Sequence, residues 1–405
     1  MSKTLKHKTI ILIGDGMGDL PIAELGGKTP LEAAAIPAMD LLAQGGELAL
    51  MQSVPEGLPP GSDVANLSLL GYRPEKIYSG RAPLEAASMG VALGERDIAF
   101  RCNLVTLEEG ANGRIKMVDY SAGHITTEEA GILINDLGSE FNSEKIHFYP
   151  GVSYRHLLVI EDGPRDLATE PPHDHTGRDV SRFWAGYQSG FLKNLMEESR
   201  RILANHPIND ARKNAGLLPA NAIWLWGQGQ APAMPSLISQ YSINGSLISA
   251  VDLLKGIGVY AGLKVINVPG ATGYLDTNYA GKVEAALDAI IDDDLVIIHV
   301  EAPDEAGHQG LLKEKIRAIE DFDRLVVKPI HDGLLALSQD FQLVVAMDHF
   351  TPLATRTHDS RPVPIILFDG QKKFAPSQRS FSEANAITTG IYYSNGAEYF
   401  RRLID

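Results

Sequence analysis

The stretch Phe341-Gln-Leu-Val-Val-Ala-Met-Asp348-His349 ends an apolar run with two side chains that can bind a metal ion. Its Val and Leu content predicts a strand buried on both faces, so Asp348 and His349 are expected where that strand ends and a loop begins. His358 follows nine residues later. In open α/β sheets, ligands bind beyond the carboxyl ends of the strands. The sequence therefore predicts a ligand site at this strand end.

A second strand end is predicted near the start of the chain. The apolar run Thr9-Ile-Ile-Leu-Ile13 is broken by Gly14-Asp15-Gly16-Met17-Gly18, which predicts a core strand followed by a tight loop. The dinucleotide-binding pattern GxGxxG fails here, because its third glycine would fall on Asp19. Asp15 is then either a turn residue between glycines or a ligand.

A rigid loop rich in Pro and Gly, residues 55–61, runs into an apolar segment that is predicted to be a helix ending at Gly71. Ser62 is expected at the N-cap position of this helix, which is the commonest role of Ser at such a place. The functional alternative is a nucleophile on a rigid turn. In that case the positive end of the helix and its free N–H groups would face a phosphate.

A third group follows the apolar run that ends at Val300. If residues 304–308 form a helical turn, Asp304 and His308 lie on one face, which is the spacing by which a helix presents two ligands to one metal. A lone DxxxH pattern also occurs in ordinary surface loops. Its position after a predicted strand, like the positions of Asp15 and Asp348, favours the metal interpretation.

Alternation of predicted strands and helices indicates an α/β fold, with a mostly parallel sheet that is covered by helices on both faces. We expect a discontinuous core domain at 1–90 and 180–405, with a smaller inserted α/β domain at 91–179. Residues 222–226 are predicted to be a strand of the core domain, residues 180–205 one long helix, and residues 246–261 a helix.

The net charge of −15 comes from 36 basic and 51 acidic residues, and no run of Lys and Arg could follow a phosphate backbone. Nucleic acid is therefore an unexpected partner. Because the overall field repels anions, an anionic small molecule would have to be held by a local group of Arg, His or metal ions. The pattern does not indicate an oligomeric state.

Cys102 is the one cysteine, so no intramolecular disulfide is possible. The apolar run Ile10–Ile13 is too short for a signal segment, and no stretch approaches the ~18 apolar residues of a membrane span. We therefore expect a cytoplasmic protein with no membrane association.

The candidate ligands are too many for one metal and fit two. A mixed set of carboxylate and imidazole groups favours Mn²⁺ or Zn²⁺, and Mg²⁺ remains possible. Two such ions could neutralise a phosphoryl group and lower the pKa of a serine hydroxyl, so that no separate base is needed. The candidates are Asp15, Ser62, Asp304, His308, Asp348, His349 and His358.

This order of motifs, with a large insert after the serine, resembles the alkaline phosphatase superfamily. More closely, the chain is similar to the archaeal-type cofactor-independent phosphoglycerate mutases over essentially its full length. The segments that carry this similarity are Arg-Cys-Asn at 101–103, Gly-Val-Ser-Tyr-Arg-His at 151–156, Pro-Pro-His-Asp-His-Thr-Gly at 171–177 and Trp-Leu-Trp-Gly at 224–227.

The resemblance implies interconversion of 3-phosphoglycerate and 2-phosphoglycerate through a phosphoserine on Ser62, without 2,3-bisphosphoglycerate. It implies one metal on Asp304, His308 and His358, and another on Asp15, Asp348, His349 and Ser62. The insert would hold the glycerate, a small phosphorylated hydroxy acid. The candidates for its contacts are Arg101, Asn103, Arg155, His156, His173 and Asp174.

Two other functions stay open at this point. The same core without a grip on the dephosphorylated product would be a metal-dependent phosphatase, or a phosphotransferase that acts on another small hydroxy acid such as homoserine. An insert that closes over the site would exclude water and favour the mutase. A metal-binding or nucleotide-sensing module without catalysis is the third possibility, but it has no need for Ser62.

Overall fold

The computed structural model describes residues 7–111, 113–187, 190–337, 340–371 and 377–404. The chain divides into two compact units. Unit 1 comprises Met1–Tyr78 and Ala233–Asp405, and unit 2 comprises Ser79–Pro232. Unit 1 is therefore assembled from both ends of the chain, and unit 2 is one continuous segment.

The described residues form thirteen strands and seventeen α-helices. The strands are β1 Lys8–Gly14, β2 Glu47–Met51, β3 Asp97–Glu109, β4 Ile115–Asp119, β5 Ile146–Tyr149, β6 Arg155–Glu161, β7 Ala222–Gly229, β8 Gly245–Ile248, β9 Lys264–Ile266, β10 Leu295–Val300, β11 Phe341–Ala346, β12 Val363–Asp369 and β13 Tyr392–Tyr393.

The helices alternate with these strands along most of the chain. They are α1 Pro30–Ala33, α2 Pro37–Gly45, α3 Ser62–Leu69, α4 Pro74–Ile77, α5 Ala82–Ser88, α6 Thr127–Phe141, α7 Ser181–Gly186, α8 Gly190–Ala204, α9 Pro207–Asn214, α10 Leu237–Tyr241, α11 Asp252–Tyr260, α12 Tyr279–Asp292, α13 Ala302–Gln309, α14 Leu312–Phe322, α15 Lys328–Ala336, α16 Glu383–Thr388 and α17 Gly396–Ile404. Short 3₁₀ turns occur at Ala23–Leu25 and Pro172–His175, and a π-helical turn joins α14 to α15 at Asp323–Val327. None of the helices in the described residues is long and apolar enough to span a bilayer.

Unit 1 is built on an eight-stranded sheet in the order β13-β2-β12-β11-β1-β10-β8-β9. Only β12 is antiparallel to its neighbours, β11 and β2. Strand β1 lies between β10 and β11 and is parallel to both. Every residue of β10 is buried, as expected for a strand covered by helices on both faces. The predicted α/β fold with a mostly parallel sheet is confirmed.

The register of the central strands brings their carboxyl ends to one edge of the sheet. Gly14 pairs with Val300, and Ile13 pairs with Ala346. The loops that follow β1, β10 and β11 therefore begin side by side. This shared edge positions the candidate ligands in unit 1.

Unit 2 contains a five-stranded antiparallel sheet. Its long strand β3 pairs with β6 on one side, with β7 on the other, and with β4 near its end. Helices α6 and α8 pack beside β5 and β7, and the buried side chains between them include Phe100, Leu133 and Trp224.

The structure differs from the predicted organisation at the limits of the insert. Unit 2 extends beyond residues 91–179 in both directions. Helix α5 belongs to it because Ala82 and Ala86 pack against the face of the sheet that carries Leu157 and Val159. Strand β7, which the sequence analysis assigned to the core domain, pairs with β3 along its length.

Two predicted helices also differ from the structure. The segment predicted as one helix over 180–205 contains α7 and α8, with residues 188–189 outside the described residues. The segment 246–261 begins as a strand, β8, and becomes helical at Asp252. The four residues of β8 are buried beside β10, so tertiary pairing outweighs local helix propensity there.

Candidate active site

Asp15 begins the loop after β1 and is almost fully buried. Its carboxylate oxygen Oδ2 lies 2.9 Å from Nε2 of His299, which is on the adjacent strand β10. Its other oxygen, Oδ1, accepts no hydrogen bond among the described residues, and its near neighbour is Nε2 of His349 at 3.4 Å. Oδ2 of Asp15 is therefore bonded to His299, whereas the buried Oδ1 can still bind a ligand.

Asp348 follows β11 and is held by three N–H groups. Its Oδ1 accepts hydrogen bonds from the backbone N–H of Gly16 at 3.1 Å and of His349 at 2.8 Å, and its Oδ2 accepts one from the amide of Asn66 at 2.9 Å. Gly16 has φ of 62°, and a Cβ added there would lie 2.6 Å from Oδ1 of Asp304. The close approach of α13, which follows β10, to the loop after β1 thus requires glycine at this position.

Ser62 is the first residue of α3, and Gly61 occupies the N-cap position that was predicted for Ser62. Because glycine has no side chain, α3 has no side-chain cap. Oγ of Ser62 is half-buried and lies 3.1 Å from Nε2 of His349. Asn66, one turn along α3, donates both to the Ser62 carbonyl at 2.8 Å and to Asp348. The hydroxyl is therefore positioned at the helix start beside the candidate ligands.

Asp304 and His308 both lie on α13, as their spacing predicts. Nε2 of His308 is 3.1 Å from Oδ2 of Asp304, and Nε2 of His358 is 3.5 Å from Oδ1. The two imidazole nitrogens are 2.9 Å apart. Nδ1 of His308 is 3.0 Å from the Arg356 carbonyl, so its Nε2 is free to face the carboxylate.

The pKa values of Asp15 and Asp304 are shifted in opposite directions. Burial, and then the charges of Asp348 and Asp304, raise the pKa of Asp15 well above its ordinary value. Burial would also raise the pKa of Asp304, but hydrogen bonds from His308 and His358 outweigh burial and hold that pKa well below its usual range. Although burial opposes it, the hydrogen bond with Asp304 raises the pKa of His308 to about 9.

In unit 2, Arg101 and Asn103 lie on one face of β3 and both contact Trp226. The Arg101 guanidinium lies 4.1 Å from the centre of the Trp226 ring, and its Nε is 2.8 Å from Oε2 of Glu85. Oδ1 of Asn103 accepts a hydrogen bond from Nε1 of Trp226 at 3.1 Å. Stacking and ion pairing of this kind hold a guanidinium in a defined orientation.

Arg155 lies opposite Asn103 in the sheet, so it projects on the same face as Arg101. Burial, together with the charges of Arg81 and Arg155, lowers the pKa of Arg101 to about 10, although the charge of Glu85 acts in the other direction. Arg81 also pairs with Glu85, at 3.3 Å. Arg81 and Arg101 therefore share the carboxylate of Glu85, and Arg155 lies on the same face of the sheet. The sequence analysis missed Arg81, which lies just before α5 in a Ser-Gly-Arg segment.

None of the remaining unit 2 candidates, His156, His173 and Asp174, is a strand residue that projects on the face carrying Arg101. His156 pairs with Cys102 in the sheet and projects on the opposite face, where its Nδ1 accepts a hydrogen bond from Gly151. His173 is exposed but its ring lies 5.7 Å from that of Trp226. Asp174 is exposed in the same 3₁₀ turn.

Comparison with known proteins shows which family the chain belongs to. A family model described as 2,3-bisphosphoglycerate-independent phosphoglycerate mutase matches residues 43–209. A curated protein of that name from Methanosarcina barkeri is 52% identical over 381 residues, which cover 94% of each chain. The chain belongs to the 2,3-bisphosphoglycerate-independent phosphoglycerate mutase family. The resemblance inferred from the motifs is confirmed.

Two solved structures, one of them a mutase, have a similar fold. The structure of a protein from Pyrococcus horikoshii matches with a TM-score of 0.82 and 29% identity, covering 99% of this chain and 97% of the other. A cofactor-independent phosphoglycerate mutase from Thermoplasma acidophilum matches with a TM-score of 0.63 and 27% identity, covering 98% and 100%. The mutase-family fold therefore extends over both units.

The side chains of this site could hold divalent cations. Three overlapping groups of described side chains bring a possible ligand atom from each member within 4.8 Å of the others: Asp304, His308 and His358; Asp15, Asp304 and His349; and Asp15, His299 and Asp348. Carboxylate oxygens and imidazole nitrogens suit divalent transition metals. The open Oδ1 and the raised pKa of Asp15 are what a cation would relieve, so the residues fit a metal centre.

The sequence analysis missed three side chains of this mutase-family site. His299 contacts Asp15, Asn66 joins Ser62 to Asp348, and Thr351 donates to Asp304 and lies 3.2 Å from Nδ1 of His349. His299 had a visible signal, since it is the single polar residue in the apolar run of β10. Asn66 and Thr351 had none, because such residues are common in helices and loops.

Proposed function

We propose that this chain interconverts 3-phosphoglycerate and 2-phosphoglycerate, with Ser62 as the nucleophile. The observation that carries the proposal is the position of Ser62 Oγ, at the start of α3 and 3.1 Å from His349, in a chain of this mutase family. Gly61 and not Ser62 occupies the N-cap position, so the hydroxyl can face the candidate ligands. Its location beside the ligand groups explains why a helix that lacks a side-chain cap begins with serine.

In the forward direction, the Oγ–P bond forms as the bond between phosphorus and the 3-oxygen of the substrate breaks. The serine loses its proton and the 3-hydroxyl of glycerate gains one. The 2-hydroxyl of the retained glycerate then attacks the phosphoserine, and the serine hydroxyl is restored. No phosphoryl donor besides the substrate is needed, so 2,3-bisphosphoglycerate has no role.

Two divalent cations, when bound, would neutralise phosphoryl charge and lower the pKa of the attacking hydroxyl. We propose that Asp304, His308 and His358 hold one of them, and that Ser62 belongs to the other set with Asp15, Asp348 and His349. The imidazole content favours Mn²⁺ or Zn²⁺ over Mg²⁺. Asn66 restrains both Asp348 and the backbone of Ser62, which keeps nucleophile and carboxylate in one geometry.

Unit 2 supplies the groups suited to the anionic part of the substrate. We propose that Arg81, Arg101 and Arg155 bind the carboxylate or phosphate of the phosphoglycerate, with Asn103 as a partner for a hydroxyl. The guanidinium of Arg101 is already oriented by Trp226 and Glu85. Such preorganisation lowers the entropy lost on binding, and a firm hold on glycerate separates a mutase from a hydrolase. His156, His173 and Asp174 remain weaker candidates, because His156 projects on the other face and the other two are exposed.

The test is ³¹P NMR of the purified protein with Mn²⁺ and 3-phosphoglycerate, without added 2,3-bisphosphoglycerate. We expect a 2-phosphoglycerate resonance that grows to a constant ratio with the substrate. A resonance of free phosphate as the main product would identify a phosphatase. An unchanged spectrum would mean that another hydroxy acid is the substrate.

A further inference from the structure

His299 is a fully buried histidine inside a strand of apolar residues. It lies on β10, and its backbone carbonyl accepts a hydrogen bond from Nζ of the buried Lys282 on α12 at 2.9 Å. A polar side chain buried in a sheet costs free energy unless its hydrogen bonds are made. Both ring nitrogens of His299 have a partner, which points to a defined role for this side chain.

The two partners determine which nitrogen of His299 carries the proton. Nε2 faces Oδ2 of Asp15 at 2.9 Å, and Nδ1 faces Oγ of Ser249 at 3.3 Å. When Asp15 is ionised, as a metal ligand is, its carboxylate is only an acceptor, so Nε2 carries the proton and donates it to Asp15. Ser249 Oγ accepts from the backbone N–H of Val251 at 3.0 Å and can turn its own proton toward Nδ1. The hydrogen bonds therefore run from Ser249 to His299 to Asp15.

This arrangement separates the two oxygens of Asp15. Oδ2 receives the proton of His299, whereas Oδ1 receives no hydrogen bond and faces His349. We infer that His299 is a positioning residue, which binds one oxygen of Asp15 and so presents the other, singly and in a fixed direction, to a divalent cation. This inference rests on the metal centre of the proposed function. Hydrogen bonds to a ligating carboxylate of this kind strengthen metal binding.

Two substitutions at His299 separate this role from a general structural one. In His299→Gln, the amide nitrogen extends about as far as Nε2 and can still donate to Asp15. In His299→Asn, the shorter amide resembles the Nδ1 side of the ring and cannot reach Asp15. Both variants keep a polar side chain in the same buried position, so the reach of the donor is the main difference between them.

The experiment is a Mn²⁺ titration of the metal-free proteins, in which the free ion is measured by electron paramagnetic resonance. We expect the wild-type protein to bind two ions. His299→Asn should weaken one of the two by about 10–100-fold, and His299→Gln should stay within about threefold of the wild type. The second ion should be bound about equally by all three proteins.

Ser246→Ala is the matched control, since Ser246 is a buried hydroxyl on β8 that bonds Asp293 and not His299. It should leave both affinities unchanged, and melting of the metal-free proteins reports whether each variant folds. Equal affinities in the wild type and His299→Asn would overturn the inference, as would an equal loss in His299→Asn and His299→Gln. A wild type that binds no pair of ions would instead overturn the metal centre itself, and this inference with it.

Discussion

The ammonium group of Lys315 is fully buried and lies 2.8 Å from Oδ2 of Asp19. It also donates to the carbonyls of Gly18 at 3.0 Å and Thr351 at 2.7 Å. Gly18 and Asp19 belong to the loop that carries Asp15, and Thr351 belongs to the loop that carries Asp348. One lysine of α14 thus joins the two loops that hold candidate ligands.

Replacing Lys315 with Met should therefore destabilise the protein. The substitution leaves the Asp19 carboxylate buried without its cation, which costs about 3–5 kcal/mol in comparable buried pairs. Urea unfolding followed by circular dichroism measures the change. Lys328→Met is the control, because Lys328 pairs with Asp332 at the surface and such pairs contribute about 0–1 kcal/mol. Similar losses in both variants would contradict the interpretation.

Ser62→Ala should abolish the mutase reaction. Without Oγ, no phosphoserine can form, and we expect kcat to fall by at least about 10³-fold, as when other nucleophiles are removed. Initial rates with 3-phosphoglycerate give kcat, and mass spectrometry after rapid quenching detects the phosphorylated protein. Ser68→Ala, on the same helix, removes a buried hydroxyl without a hydrogen-bond partner and should keep full activity. Normal turnover by Ser62→Ala would remove the serine from the mechanism.

Removal of metal should lower thermal stability, because buried Asp15, Asp304 and Asp348 then repel each other. Adding Mn²⁺ at 100 times its Kd should restore about 2.7 kcal/mol for one site. Asp15→Asn removes a carboxylate whose pKa is raised by burial, so the metal-free variant should melt higher than the metal-free wild type at pH 8 and respond less to Mn²⁺. Melting curves with and without Mn²⁺ measure both the higher Tm of the metal-free variant and its smaller response to Mn²⁺. A wild-type Tm that is insensitive to Mn²⁺ would contradict the prediction.

Glu383 should make stability depend on pH. Burial raises the pKa of this carboxyl from 4.5 to about 7, although hydrogen bonds from the backbone and Thr29 act in the other direction. Since the folded pKa exceeds the unfolded one, this contribution to stability is complete below about pH 4.5 and is lost as pH rises through about 7. Glu383→Gln cannot ionise and should gain stability over the wild type at pH 8 but not at pH 4.5. Urea unfolding at both pH values measures the free energy of unfolding of each protein. An equal difference between variant and wild type at pH 8 and pH 4.5 would contradict the raised pKa of Glu383.

Arg81→Met should raise KM for phosphoglycerate. A hydrogen bond to a charged group contributes about 1.5–3 kcal/mol, which corresponds to about 10–150-fold in binding. Steady-state kinetics give KM and kcat separately. Arg96→Met, which removes an exposed arginine of unit 2 that pairs with Glu161 and Asp162, should leave KM unchanged. Equal effects of the two substitutions would indicate a general loss of positive charge and not a specific contact.

Much of the fold follows from local patterns. Apolar runs predicted β1, β10 and β11 because all three are buried on both faces and each ends abruptly in a polar loop. The i, i+4 spacing predicted the helical contact of Asp304 with His308. These features depend on residues close together in the sequence, and so the sequence could predict them.

Features that depend on distant pairing could not be predicted. Strand β7 was assigned to the wrong domain because an apolar strand has the same sequence pattern in either sheet. Only its pairing with β3 shows that it belongs to unit 2. Residues of β8 lack a strand pattern long enough to recognise. The contact of His299 with Asp15 spans 284 residues, and the arginine group on unit 2 forms only when α5 packs on the sheet.

The position of β1 between β10 and β11 has a consequence for synthesis on the ribosome. About 330 residues separate β1 from β11, so at about 5–20 residues per second roughly 15–70 s pass before the second neighbour of β1 exists. Unit 2 is complete long before that and can fold while the apolar strand β1 still waits unpaired. We therefore expect nascent chains that stop after residue 232 to carry a folded unit 2 and an exposed, chaperone-binding segment around Ile10–Ile13.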